Sequence, residues 1–214
     1  MGRKIIIAVI FLVNFVTASL ADELPVSRFA TEGLAGWEPK VFKGLTDYKL
    51  AHENGRNVLR AHSRGTASGP IKKVNLDPQR FRYLRWSWKV AGILEKGDEK
   101  TKAGDDYAAR VYVVFPGRFF WQTKAINYIW ANRLGVGQSI PNAFTGNAMM
   151  VAVESGQARA GQWLTEERDI LADYRHLFNE EPRKIGAVAI MTDTDNTGSE
   201  ATAWYGEIVL SSGK

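Results

Sequence analysis

Several groups of side chains in this 214-residue chain have the types and spacing to do chemistry. The first is the acidic run Asp193-Thr194-Asp195-Asn196-Thr197-Gly198. Oxygen-rich loops of this kind bind calcium, because a hard cation needs carboxylate and carbonyl oxygens converging on one point. Asp193, Asp195, Thr197 and Gly198 match the first half of the calcium-loop pattern only in part. The fifth position is Thr197 rather than an acid or amide, and the twelfth, where a bidentate Glu closes the shell, is Trp204. The flanks also read as strands rather than helices. A turn capped by Asp and Asn side chains is the simpler expectation, so no cofactor is expected, with calcium kept as the alternative.

The second group is Lys102, Asp105, Asp106 and Arg110. A close acid pair followed by arginine can bind a polar ligand, or one carboxyl with a raised pKa can act as an acid. A charge network over a sheet explains the same residues without a ligand. A third group, Glu166-Glu167-Arg168 after Trp163, adds charge that a strand edge and helix cap would equally explain. Arg85 and Lys89 fall on the outer face of an alternating strand, as a solvated pair or as ligand contacts.

Aromatic rings form the fourth group. Sugar-binding sites use exposed rings, since the C–H faces of pyranoses stack on them while polar groups fix the hydroxyls. Alternation sends Trp86 and Trp88 to the core, and Trp37, Trp163 and Trp204 are expected to be mostly buried. Trp121, Tyr128 and Trp130 are the candidates for lining a groove. Familiar catalytic signals are missing: the sequence has no G-x-S-x-G elbow, H-E-x-x-H helix, P-loop or dinucleotide fingerprint, and His52, His62 and His176 are scattered.

The elements that must position these groups are short and extended. Tyr83 to Val90 alternates cleanly, with Leu84, Trp86, Trp88 and Val90 on one side. Tyr107 to Phe115 puts Val111, Val113 and Phe115 on one face and Asp106, Arg110 and Tyr112 on the other. Further strands are expected at 48–51, 57–61, 71–76, 119–131, 148–154, 162–168, 183–192 and 201–210, with Asn54-Gly55 turning the first two. Residues 64–70, 91–104 and 132–147 read as loops. Ile170 to Phe178 changes to a helical period, with Asp169 as N-cap. About ten strands, one helix near 170–178 and no βαβ alternation predict an all-β protein, an antiparallel β-sandwich of the jelly-roll type.

Arg3 and Lys4 precede an apolar run from Ile5 to Val16 and the small residues Ala18-Ser19-Leu20-Ala21, which predicts a signal peptide over 1–21 and a single mature domain over 22–214. No later run is long and apolar enough to span a bilayer, so a soluble periplasmic or secreted bacterial protein is expected. Cysteine is absent, which removes disulfides, thiolate metal sites and a cysteine nucleophile. Losing Arg3 and Lys4 takes the 28 basic residues to 26 against 23 acidic, a net +3. Export and interspersed carboxylates argue against nucleic acid as a partner.

The strings TKAGDDYAARVYVVF, AMMVAVESG and AVAIMTDTDNTGSEATAWYGEI, with LRWSWKV upstream, resemble the bacterial exported domain-of-unknown-function family 3047 over nearly the whole mature chain. That resemblance implies no activity. GLAGW and the extended run after it look like the start of galactose-binding-like jelly rolls, which implies a β-sandwich with a sugar-binding surface. The expectation is a non-catalytic binding protein for a glycan or other polar envelope ligand, with contacts among Arg85, Lys89, Lys102, Asp105, Asp106, Arg110, Tyr128, Glu167, Asp193 and Asp195. The alternatives are a glycan-active hydrolase or lyase using paired carboxylates from Asp105, Asp106, Asp193 or Asp195, and a structural partner in the envelope.

Overall fold

The structure is a computed structural model and describes residues 21–53 and 55–213. The predicted signal peptide, apart from Ala21, and Asn54 of the predicted hairpin turn lie outside those residues.

Two sheets face one another across a single main core. The first contains β1 (Glu23–Pro25), β3 (Asp47–Glu53), β4 (Arg56–Arg64), β6 (Tyr83–Val90), β11 (Leu164–Asp169) and β13 (Glu200–Ser211). The second contains β2 (Glu38–Lys43), β5 (Ala67–Leu76), β7 (Arg110–Phe115), β8 (Lys124–Ala131), β9 (Ser139–Asn142), β10 (Thr145–Ser155) and β12 (Ile185–Asp193). The first sheet runs β11-β6-β13-β4-β3, with β1 on β13, and the second β2-β5-β12-β7-β8-β10-β9. Between β4 and β7 each strand crosses to the opposite sheet, the connectivity of a jelly-roll sandwich.

The core follows from alternation. Leu84, Trp86, Trp88 and Val90 of β6 are all buried, as are Val111, Val113 and Phe115 of β7. Beside the β7 residues in the same sheet, Ile126, Tyr128 and Trp130 of β8 join the core and face β6. Trp86 lies 5.2 Å from Tyr128 and Trp88 5.9 Å from Trp130, ring to ring, so four large aromatics weld the sheets together. Helix α2 (Ile170–Phe178) buries Ile170, Leu171 and Tyr174, and the Asp169 carboxylate caps it by accepting from Ala172 N at 3.0 Å.

The architecture departs from expectation in several places: β1 and β2 are additional strands, and the strands expected from Tyr107 and Phe119 begin at Arg110 and Lys124. The second sheet is mixed, because β8 and β10 run parallel, Ala148 opposite Ala125. A second short helix, α1 (Phe29–Glu32), precedes β2. The stretch 132–147 is not all loop, since β9 and the start of β10 form a hairpin in it. Residues 67–70, expected in a loop, open β5. Ser68, Gly69 and Pro70 look like turn residues, but a Cβ on Gly69 would meet Ile190 O at 2.1 Å, so the glycine is there for close strand packing.

Candidate functional site

Alternation on β7 sends Arg110 and Tyr112 away from the core, to the outer face of the second sheet. Their neighbours on that face are Met191 of β12, opposite Arg110, and Asn127 of β8, opposite Tyr112. These four side chains floor a cavity of about 480 Å³. Its walls include Phe42 from the edge strand β2 and Asn142 from the other edge strand, β9. A flat sheet of seven strands would hold its edges about 29 Å apart. Residues from both edges border one cavity, so the sheet and its β9–β10 hairpin curl, and the cavity sits on the concave side.

Phe42 reaches the rim through a β-bulge: Val41 pairs with Ser68 and Lys43 with Ala67, leaving Phe42 as the extra residue. Phe144, in the turn of the β9–β10 hairpin, also lines the cavity. Both rings are mostly exposed. Lys102 stands beside the rim with its Nζ 5.3 Å from the Phe144 ring.

The acidic groups meet at one end of this face. Arg110 Nη2 donates to Asp193 Oδ2, and Tyr107 N donates to Asp193 Oδ1 at 3.3 Å. Asp105 accepts from Asn142 Nδ2 at 3.0 and 2.8 Å and from the Tyr107 hydroxyl at 3.0 Å. Asp106 accepts from Thr197 N at 2.6 Å and from Asn196 N and Nδ2 at 3.3 and 3.2 Å, so it caps the 193–198 turn from across the fold. Lys43 Nζ lies 4.0 Å from Asp195 Oδ2.

Burial pushes Asp193 up to about 8, against the pull of Arg110 and with help from Asp106 and Asp105. Asp195 is also raised, first by burial and then by Asp106. Burial works against the charge on Arg110, but Asp193 foremost among its neighbours keeps it protonated, above its ordinary value. Two polar atoms of cavity-lining residues are buried and unpartnered within the protein: Arg110 Nε and Asn127 Oδ1.

Asp106, Asp193 and Asp195 each bring a carboxylate oxygen within 4.8 Å of the others, the spacing a cation would need. Their surroundings do not suit one well. Both oxygens of Asp106 and of Asp193 already accept from nitrogen donors, and the Arg110 guanidinium occupies the flank of the trio.

The other expected contacts lie elsewhere. Arg85, Lys89 and Glu167 are on the outer face of the first sheet, with Glu167 opposite Arg85. Arg85 pairs with Glu23 at 2.8 Å. Lys89 is buried, ion-paired to Glu53 and 4.1 Å from the Trp204 ring. Tyr128 faces inward rather than into a groove: it is wholly buried against Trp86, with its hydroxyl on Asp173 at 2.8 Å. Trp130 is core for the same reason, the strict alternation of β8, and of the three suspected rings Trp121 is the exposed one. Asn127, Asn142, Phe42 and Phe144 were missed. Asn127 carried a signal, being a lone amide in an otherwise apolar strand centre.

A second cavity, about 540 Å³, lies beside Trp37, Leu45 and Pro70. Its polar lining is bonded internally, Thr46 N to Ser68 Oγ at 2.8 Å and Tyr48 OH to Ser68 O at 2.9 Å.

The model of the family described as "Protein of unknown function (DUF3047)" matches residues 35–209. The chain belongs to that family. No curated protein matches the chain. Among solved structures it is similar to the family 30 carbohydrate-binding module of a cellulosomal cellulase of Clostridium thermocellum, at 9% identity over 88% of this chain and 96% of that one, TM-score 0.48. A family 29 carbohydrate-binding module complexed with cellulohexaose matches at 11% identity over 90% and 92%, TM-score 0.43. The K3 cleaved adhesin domain of Lys-gingipain from Porphyromonas gingivalis matches at 14% identity over 90% and 100%, TM-score 0.41. At such identities none of these says what this family member binds.

Proposed function

We propose that the chain is an exported, non-catalytic binding protein whose concave cavity takes a neutral or amino-bearing sugar unit of a glycan or cell-envelope polymer. The observation that carries this is the pair of buried, unpartnered atoms, Arg110 Nε and Asn127 Oδ1. One is a donor and the other an acceptor. A hydroxyl both donates and accepts, so a sugar that turns these side chains toward the cavity supplies both kinds of partner. Leaving each unpaired costs about 1–3 kcal/mol, a deficit that a ligand would relieve.

The rim supports the same reading, since the exposed Phe42 and Phe144 rings offer faces to the C–H side of a pyranose. Charge selects within the class. Asp105, Asp193 and Asp195 line the cavity, and its one lining cation, Arg110, is already paired. The Asp105 and Asp195 carboxyls on the lining disfavour a uronate or phosphate beside them, whereas a neutral or amino sugar meets no such repulsion.

A hydrolase or lyase would need two carboxyls free to move protons. Asp105, Asp106 and Asp193 have both oxygens engaged by donors from the protein, which favours binding over turnover. The test is calorimetric titration of wild type and Asn127→Ala with the best hits from a glycan array. The variant is expected to bind at least about tenfold more weakly. Unchanged affinity in the variant, or no glycan bound by wild type, would overturn the proposal.

A further inference from the structure

The connection from β7 to β8 presents three aromatic rings to solvent: Phe119 is 48%, Phe120 85% and Trp121 58% exposed. Joining two strands does not require them, since turns are built from Gly, Pro, Asn, Asp and Ser. The turn is rigid. Its backbone closes a 3-10 turn over Phe120–Gln122, with Gln122 N on Phe119 O at 3.0 Å and Thr123 N on Phe120 O at 3.1 Å. The Gln122 side-chain oxygen accepts from Phe119 N at 3.2 Å. Gly117 lets the two limbs touch, because a Cβ there would meet Gln122 Cβ at 2.4 Å.

On this frame the Phe119 and Trp121 rings stack, 4.8 Å apart and 5° from parallel, and Phe120 stands edge-on to Trp121 at 5.0 Å. The platform is tied to the cavity wall. Asn147 donates its side-chain amide to Trp121 O at 2.8 Å, and Asn147 sits on β10 between Thr145 and Ala148, which both line the cavity. One short segment of β10 therefore has the cavity on one side and the aromatic turn on the other.

Resting on the sugar-binding reading of the cavity, we infer that the 119–121 platform is a second subsite for the same ligand. The ligand is then an oligosaccharide running from the cavity, past Asn147, to the rings. Clustered exposed rings suit this occupant: a pyranose stacks on a ring face, and the amide of Asn147 and the guanidinium of Arg118, 5.9 Å from the Phe119 ring, offer partners to its hydroxyls. Continuity with the cavity through β10 favours a bound glycan chain over a lipid surface as what covers the platform.

The experiment is an array of neutral glycans graded from mono- to hexasaccharides, followed by calorimetry on wild type, the Phe120→Ala/Trp121→Ala double variant and Asn127→Ala. Wild-type affinity is expected to rise about tenfold from the shortest bound ligand to the longest, the worth of one added stacking contact. The double variant should bind the shortest ligand like wild type and lose that rise, while Asn127→Ala weakens every length. A double variant that gains with length as wild type does would overturn the second subsite and leave the cavity reading standing. No glycan bound by wild type would overturn both. Loss of co-sedimentation with phosphatidylglycerol vesicles in the double variant, with glycan binding unchanged, would make the turn a membrane contact and overturn the subsite.

Discussion

Arg110 and Asp193 form an ion pair with only 7% and 1% of their side chains exposed, joining the start of β7 to the end of β12 on the concave face of the second sheet. The pair fixes the floor of the cavity to the acidic turn. Above about pH 8, where Asp193 is ionised, breaking this buried pair by removing one partner leaves an uncompensated charge, at a cost of about 3–5 kcal/mol. Arg110→Met is therefore expected to lower the unfolding free energy by that amount in a urea titration at that pH; a loss within experimental error of zero would mean that the pair does not hold the turn.

Proton uptake by the acidic cluster gives the fold a particular pH dependence. Asp193, up to about 8, and Asp195 keep protons longer in the folded chain than in an unfolded one, and burial shifts Glu154 and Glu166 the same way. Between about pH 4 and pH 8 the folded state thus binds more protons, so stability falls as pH rises across that window and levels off above it. Denaturation curves at intervals of pH should show this decline, and Asp193→Asn should flatten it. A stability that climbs toward pH 8 would contradict the assignment.

Calcium should do little. With the oxygens of Asp106 and Asp193 already taken by nitrogen donors, millimolar calcium or chelator is expected to move the melting temperature by less than about one degree. A rise of several degrees would restore the 193–198 turn as a metal loop.

How far the sequence could carry such expectations depended on the kind of order each segment has. Tyr83–Val90 and Ile170–Phe178 match their expected bounds, because strict alternation in one and a period change with an Asp cap in the other are local signals. β2 went unseen since all six of its residues are exposed and carry no apolar alternation. The parallel pairing of β8 with β10 is non-local and leaves no mark in either strand. At the site, Asp105, Asp106, Arg110 and the acidic turn were readable from residue type, and they do converge. Phe42 and Phe144 were not, because a bulge and a hairpin bring them to the rim.

Tyr128 and Asn127 are neighbours in β8 with opposite fates, which separates core from site. Tyr128→Phe removes a buried hydrogen bond to Asp173 and should cost about 1 kcal/mol of stability with ligand affinity unchanged. Asn127→Leu replaces an amide whose buried oxygen has no partner by an apolar group and should leave stability equal or higher by about 1–2 kcal/mol while abolishing binding. Thermal melts paired with calorimetry read both quantities, and a destabilised Asn127→Leu would show that the amide serves the fold instead.

The central claim is most directly tested by a crystal structure with a bound neutral oligosaccharide. The account predicts a sugar ring between Phe42 and Phe144, with hydroxyls within hydrogen-bond distance of Arg110 Nε and Asn127 Oδ1. A sugar seated instead on the outer face of the first sheet, over Trp204 and Arg85, would contradict it.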